Sequence, residues 1–252
     1  HYTEEPQGGI AQHHICLLVR AEGQTIVVDT GQGHKNNAKR AEMLQLSHPQ
    51  GTLLESLARL GVMPDDVTLV INTHLHGDHC GGNTYLAEDG SPRPTFPNAR
   101  YITQRLEYAD AAFPNERTRG TYFSENFAPL YQTGQLRLLD GDYEPVWGMR
   151  CVITPGHTRA HMSIVFEGGG QYAMFVADLS TVAVLFARLA WMTAYDVEPL
   201  VTLETKRIWQ RWALEHNALL IFQHDPVTHT GRLVEDDKGR LSIQPESGPE
   251  DL

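Results

Sequence analysis

The sequence is organised around residues 72–83, which read Asn72-Thr73-His74-Leu75-His76-Gly77-Asp78-His79-Cys80-Gly81-Gly82-Asn83. Three imidazoles and one carboxylate fall within six of these positions, directly after the apolar residues 67–71. The apolar run predicts a buried strand, and the glycines behind the cluster allow a tight turn. Imidazole and carboxylate ligands at this density suit zinc or a similar divalent ion, and their number suggests two ions. We therefore predict a metal site in this loop.

Three further apolar runs end in a residue that can bind a metal. They end at His157, Asp178 and His224. Unbroken apolar runs are typical of strands that are buried on both faces, and open sheets build their sites at one end of such strands. The sequence therefore predicts that these side chains belong to the same site as the loop at residues 72–83.

Bulk properties exclude several classes of function. The net charge of −11 over 252 residues argues against nucleic acid as a partner, because phosphate binding needs clustered Lys and Arg. No apolar run reaches the roughly 18 residues of a membrane span, so no membrane association is expected. The three cysteines form no disulfide framework, which favours a reducing, cytoplasmic compartment. The start at His1 leaves open that a preceding segment was removed.

Hydrophobic periodicity predicts the elements around the site. Residues 15–20 and 24–29 form a predicted hairpin, and residues 51–61 form a short helix. Residues 198–217 form a longer predicted helix. Its apolar face is expected to carry Val201, Ile208, Trp209 and Trp212.

Two segments leave alternatives open. Residues 104–133 alternate aromatic side chains with Pro, Asn and Gly, which fits either a lid or interface, or a helical cover that packs the rings inward. The apolar residues between Val182 and Met192 could line an acyl-chain channel, form a homodimer interface or pack in the core.

The pattern HxHxDH followed by Gly-Gly-Asn resembles the signature of the metallo-β-lactamase-fold hydrolases. The resemblance implies an α/β (α+β) chain folded as an αββα sandwich, with residues 1–252 as a single domain. Within it, residues 104–133 are the candidate lid segment. It also implies that Asp29 orients the metal loop and that His161 is structural. The implied ligands are His74, His76 and His157 for the first ion, Asp78, His79 and His224 for the second, and Asp178 as the bridge.

The resemblance is closest to one branch of this family. A bridging carboxylate at Asp178 is typical of the thioesterases, ribonucleases, phosphotriesterase-like members and lactonases, and it is generally missing from true β-lactamases. Residues 175–179, 192–196 and 222–225 are similar to the YtnP-like branch of the quorum-quenching N-acyl-homoserine lactonases. One departure is Thr181, which stands where the best-known lactonases place a catalytic tyrosine. Tyr195 could take over that role.

The functional hypothesis that follows is metal-assisted hydrolysis. The chain is expected to open the lactone ring of N-acyl-homoserine lactones by attack of a metal-bound hydroxide, with Asp78, Asp178 and Tyr195 as catalytic residues. The expected cofactors are two divalent ions, zinc first, with cobalt, manganese and iron left open. Two alternatives stay open: a phosphotriesterase, aryl esterase or thioesterase with the same metals, and a non-catalytic metal or redox scaffold of the flavodiiron type.

Overall fold

The computed structural model describes residues 10–36 and 38–246 of the chain. The chain divides into two compact units. The N-terminal unit is Cys16–Gly141, and the C-terminal unit is Asp142–Leu252 together with His1–Ile15. The single domain over residues 1–252 stays a prediction.

The N-terminal unit contains a five-stranded sheet with the order β1-β2-β3-β6-β7. The strands β1 and β2 form the predicted antiparallel hairpin, while β2, β3, β6 and β7 pair in parallel. A separate antiparallel pair is formed by β4 and β5. The strands are β1 Leu17–Ala21, β2 Gln24–Val28, β3 Leu69–Ile71, β4 Thr84–Leu86, β5 Pro92–Pro94, β6 Arg100–Gln104 and β7 Leu136–Leu139.

Short helices join these strands. The predicted helix near residue 53 is present, and it begins with a capping box in which Thr52 and Glu55 bond each other's backbone N–H. The helices are α1 Ala38–Met43, α2 Leu53–Arg59, α3 Gly77–Cys80, α4 Arg105–Ala112 and α5 Ala128–Gln132, with 3₁₀ turns at Pro64–Asp66, Gly81–Asn83 and Ser124–Asn126.

The C-terminal unit contains a seven-stranded sheet with the order β14-β13-β12-β11-β10-β9-β8. Its strands pair antiparallel except for β11 and β12, which are parallel. The strands are β8 Tyr143–Val146, β9 Met149–Ile153, β10 Met162–Gly168, β11 Gln171–Phe175, β12 Leu219–Ile221, β13 Thr230–Glu235 and β14 Leu241–Pro245. Its helices are α6 Ala183–Ala187 and α7 Pro199–Glu215, with a 3₁₀ turn at Ala177–Leu179.

Helix α7 corrects one sequence prediction. Trp209 and Trp212 pack against the apolar core of the C-terminal unit as predicted, but Val201 and Ile208 are 39% and 64% exposed and do not belong to the buried face. The buried residues are mostly polar: Thr202, Thr205, Lys206, Gln210 and Ala213. Thr205, Lys206 and Gln210 lie inward because they donate to backbone carbonyls outside the helix, which the periodicity of apolar residues does not reveal.

Residues 104–133 form the two helices α4 and α5 joined by a loop. Tyr122 and Phe127 belong to the apolar core of the N-terminal unit, whereas Phe113 is exposed. This packing favours a helical cover, and the lid stays a prediction. None of the three cysteines forms a disulfide. Among the described residues, no helix has both the length and the apolar character that crossing a membrane requires.

Candidate metal centre

The loop after β3 brings four predicted ligands together inside the N-terminal unit. We call His74, His76, Asp78 and His79 the loop cluster. The ring of His74 lies 4.5 Å from that of His76 and 3.9 Å from that of His79, between centroids. All three imidazoles are buried, while the Asp78 carboxylate is 27% exposed. Three buried imidazoles this close together are a donor set suited to a first-row divalent ion.

Asp29 holds the loop from the end of β2, as the resemblance implied. Its Oδ1 accepts the Thr73 backbone N–H at 2.8 Å. Its Oδ2 accepts the Thr73 hydroxyl at 2.8 Å and Nδ1 of His79 at 2.9 Å. Asp29 is fully buried, and its carboxylate thereby fixes both the backbone and one ring of the loop.

These bonds also determine which ring nitrogen of His74 and of His79 is available to bind a metal ion. Because the Thr73 hydroxyl gives its proton to Asp29, its oxygen accepts from Nδ1 of His74 at 3.1 Å. The Nδ1 atoms of His74 and His79 therefore both act as donors. In a neutral imidazole the lone pair then lies on Nε2, which is the usual arrangement of a metal-binding histidine with an outer hydrogen-bond partner.

Close backbone packing explains the glycines that follow the cluster. A Cβ on Gly81 would lie 2.3 Å from the carbonyl oxygen of Gln32, and one on Gly82 would lie 2.3 Å from that of Thr30. The Thr30 N–H also donates to the His79 carbonyl at 2.7 Å. Only glycine permits this approach of the two loops.

A buried carboxylate supports the loop cluster from α4. Glu107 is fully buried, and its Oε1 accepts the Leu75 backbone N–H at 2.9 Å and the Tyr122 hydroxyl at 3.1 Å. Tyr122 in turn forms a β-bridge with His76, and their ring centroids are 4.9 Å apart. Sequence reasoning missed Glu107, because no local motif links α4 to residue 75.

The C-terminal unit gathers a second set of predicted ligands. We call His157, Asp178 and His224 the Asp178 cluster. Nε2 of His157 lies 3.1 Å from Oδ2 of Asp178, and Nε2 of His224 lies 3.0 Å from Oδ1. All three side chains are buried. The carboxylate thus offers one oxygen toward each imidazole, which is the geometry expected of a bridging ligand.

The far side of each ring in the Asp178 cluster is anchored. Nδ1 of His157 donates to Oδ1 of Asp196 at 3.0 Å, and Nδ1 of His224 donates to the His13 carbonyl at 2.7 Å. The Nε2 lone pair of each neutral ring would then face a carboxylate oxygen. Such a contact is favourable only with a positive charge on that side, supplied by a second ring proton or by a metal ion. The residues therefore fit a divalent metal.

His161 has the structural role expected of it. Its Nε2 accepts the Asp178 backbone N–H at 3.0 Å, and its Nδ1 lies 2.8 Å from the Thr154 hydroxyl. Both ring nitrogens are thus used within the fold. The backbone before Asp178 needs this support, because Ala177 has a φ of 48°, in the left-handed region.

The sequence profile of the Metallo-beta-lactamase superfamily matches residues 12–184, which is most of the chain. The chain belongs to the metallo-beta-lactamase superfamily. Its mixed α/β fold is the fold of this superfamily, and the chain is one of its hydrolases.

Similar proteins of the superfamily include named lactonases. An N-acyl homoserine lactonase of Bacillus cereus is 27% identical over 234 residues, which are 89% of this chain and 82% of that protein. A solved structure described as a probable metal-dependent hydrolase from Staphylococcus aureus has a TM-score of 0.86 at 23% identity, covering 100% of this chain and 87% of that one. An N-acyl homoserine lactone hydrolase, solved with N-hexanoyl-L-homoserine at its catalytic metal centre, has a TM-score of 0.66 at 26% identity, covering 84% and 80%.

Two other residues of this superfamily member have clear positions. Cys80 beside the loop cluster is buried and donates from Sγ to the Leu75 carbonyl at 3.2 Å. Burial raises the pKa of its thiol well above the usual range, so the thiolate needed for nucleophilic chemistry does not form at neutral pH. Tyr195 is 67% exposed, next to the buried Asp196, and its catalytic role stays a prediction.

A narrow cleft opens beside Asp178 in the C-terminal unit. It is a shallow crevice of about 160 Å³, a volume that includes open solvent and holds no closed space wide enough for a water molecule. Its lining combines polar groups, such as Thr181 and Thr193, with the apolar side chains of Leu185, Trp191 and Met192. Apolar side chains combined with a few polar groups are the usual lining of a small-molecule site.

Proposed function

We propose that the chain opens the lactone ring of N-acyl-homoserine lactones with two divalent metal ions, zinc first among them. The observation that carries the metal part is the placement of Asp178 between two Nε2 atoms, His157 at 3.1 Å and His224 at 3.0 Å. The lactone part is supported by the similarity to the N-acyl homoserine lactonase of Bacillus cereus and by the apolar wall of the cleft at Asp178.

The residues that would hold the ions are those implied by the resemblance of the HxHxDH pattern. Bound divalent ions supply Lewis-acid polarisation of a carbonyl and activate water at neutral pH. The first ion would be held by His74, His76 and His157, the second by Asp78, His79 and His224, and Asp178 would bind both.

The protein's own residues orient the imidazoles, receive the acyl chain and transfer a proton. Asp29, Asp196 and the His13 carbonyl keep imidazole protons on Nδ1, which leaves Nε2 available. The Leu185, Trp191 and Met192 side chains receive the acyl chain and exclude water from it.

The partly exposed Asp78 carboxylate can take up a proton from the attacking water and return it to the leaving alkoxide oxygen as the ester C–O bond breaks. Tyr195 is the second candidate for this proton transfer, because the sequence has threonine at position 181.

The experiment is proton release by zinc- or cobalt-loaded protein on N-butanoyl- and N-decanoyl-homoserine lactone. A phosphotriester, a thioester and a β-lactam are measured beside them. We expect lactone opening with kcat/KM of about 10⁴ M⁻¹s⁻¹ or better. If the lactones are inert while the triester or the thioester turns over, the proposed substrate is wrong.

A further inference from the structure

Lys206 of α7 is almost fully buried, and backbone carbonyls surround its ammonium group. The residue is 1% exposed. Nζ donates to the carbonyl oxygens of Arg188, Leu189 and Trp191 at 3.0, 3.2 and 2.6 Å. An ammonium group has three N–H donors, and here each has an acceptor within the same turn of backbone, residues 188–191.

Gln210 extends the same arrangement by one helical turn. Its Nε2 donates to the Phe186 carbonyl at 2.6 Å and to the Ala187 carbonyl at 3.3 Å. These carbonyls lie at the end of α6, where a helix has no internal partners for them. The backbone from residue 186 to residue 191 is therefore held from α7.

The held backbone carries one wall of the cleft beside Asp178. Trp191 and Met192 line that cleft together with Leu185 of α6. The Trp191 side chain is 56% exposed, so packing alone does not fix the indole. Its position follows from its backbone, whose carbonyl accepts the shortest of the three Lys206 bonds.

We propose that Lys206 is a positioning residue, which fixes Leu185, Trp191 and Met192 as the wall of the cleft and so sets which acyl chains the protein accepts. This inference rests on the proposed lactone-opening function. Lys206 does not itself line the cleft. Removing its ammonium group therefore leaves three carbonyls without their buried donor. The free energy of the variant is then lower when the turn moves toward water, because water can bond these carbonyls.

The first test compares Lys206→Met with Lys238→Met, which removes an exposed lysine as the matched control. Both are measured on N-butanoyl- and N-decanoyl-homoserine lactone at equal metal content. For Lys206→Met we expect KM for the decanoyl substrate to rise about tenfold, with kcat within about twofold and the butanoyl substrate little affected. An unchanged ratio of kcat/KM between the two substrates would overturn the proposal.

The second test needs no catalytic activity. Arg188 is exposed, yet trypsin can cut after it only when the turn leaves its native position. We expect the wild-type protein to resist cleavage at Arg188–Leu189, and Lys206→Met to be cut there about tenfold faster. Should Lys206→Met fail to fold, Lys206→Gln retains N–H donors with a shorter reach.

Rapid cutting of the native wild-type protein at Arg188 would show that the turn is not held. If the wild-type protein opens no lactone, the proposed function and the acyl-chain part of this inference fall together. The trypsin result still decides separately whether Lys206 holds the turn.

Discussion

Asp29 binds Nδ1 of His79 through its carboxylate at 2.9 Å, and it does so from a backbone φ of 54°. This left-handed conformation is uncommon for residues other than glycine, and Asn and Asp adopt it more readily than most. Position 29 therefore requires a residue that adopts a positive φ and that also has a carboxylate to accept three hydrogen bonds.

Asp29→Asn separates these two demands. Asparagine keeps the backbone conformation, but its amide nitrogen cannot accept the His79 proton. We expect zinc affinity to fall about 10- to 100-fold, measured by competition with a chromophoric chelator. Asp237→Asn, at an exposed site, is the control. Equal affinities in the two variants would contradict the role given to Asp29.

Asp178→Asn tests the proposed bridging role of this carboxylate. The substitution removes the negative charge between His157 and His224 while it keeps the volume of the side chain. We expect metal content, measured by mass spectrometry, to fall from two ions per chain to one or fewer, and lactone opening to fall with it. Wild-type activity with a single ion per chain would argue against the two-ion proposal.

Glu107→Ala tests the support under the loop cluster. It leaves the Leu75 N–H and the Tyr122 hydroxyl without their buried acceptor, so we expect a loss of about 1–3 kcal/mol in the free energy of unfolding. Glu107→Gln retains an acceptor oxygen and should recover part of that loss. Urea denaturation measures the free energy of unfolding of the two variants. Similar values for both would show that the acceptor oxygen of residue 107 does not account for the loss.

Gly156→Ala tests the loop that carries His157. Gly156 has a φ of 136°, and an added Cβ would lie 2.3 Å from Oγ1 and 2.4 Å from the backbone nitrogen of Thr202. We expect a destabilisation of about 1–3 kcal/mol. Thr202→Ala should not rescue it, because the backbone clash remains. Gly168→Ala, with no heavy atom within 4 Å, is the control. A rescue by Thr202→Ala would mean that only the side-chain contact was limiting.

The pH dependence of stability should carry a contribution from Lys206. Burial lowers the pKa of its ammonium group from 10.5 to about 8, with Asp196 opposing the shift. Between these two values the unfolded chain binds more protons than the folded one, so this residue makes the free energy of unfolding rise with pH, whereas below pH 8 its contribution is constant. We therefore expect the free energy of unfolding of the wild type, relative to that of Lys206→Met, to be larger at pH 10 than at pH 7.5. Urea denaturation of both proteins at the two pH values measures this change.

The candidate metal ligands could be picked out from the sequence because each comes shortly after an apolar strand. His157 comes after β9, Asp178 after β11 and His224 after β12. The apolar pattern of each strand and the residue that can bind a metal are therefore close together in the sequence. The hairpin β1–β2 was predicted for the same reason, since its signals are local.

The supporting residues could not be predicted, because what they hold is distant in sequence. Asp196 bonds a ring 39 residues away, and Glu107 bonds a backbone N–H 32 residues away. Lys206 and Gln210 gave a misleading signal, since polar side chains on a helix usually face water. Strand β13, with Arg232 and Glu235, also lacked the apolar alternation that would have identified it.

The bond between His224 and the His13 carbonyl joins residues that are 211 positions apart. During synthesis the ribosome adds His224 211 positions after His13. The carbonyl that orients this imidazole is therefore available long before the ring that it must hold. Ordering of the candidate ligand His224 therefore waits until this later segment is made, so a nascent chain that already displays residues 74–79 but stops before residue 224 lacks this ring.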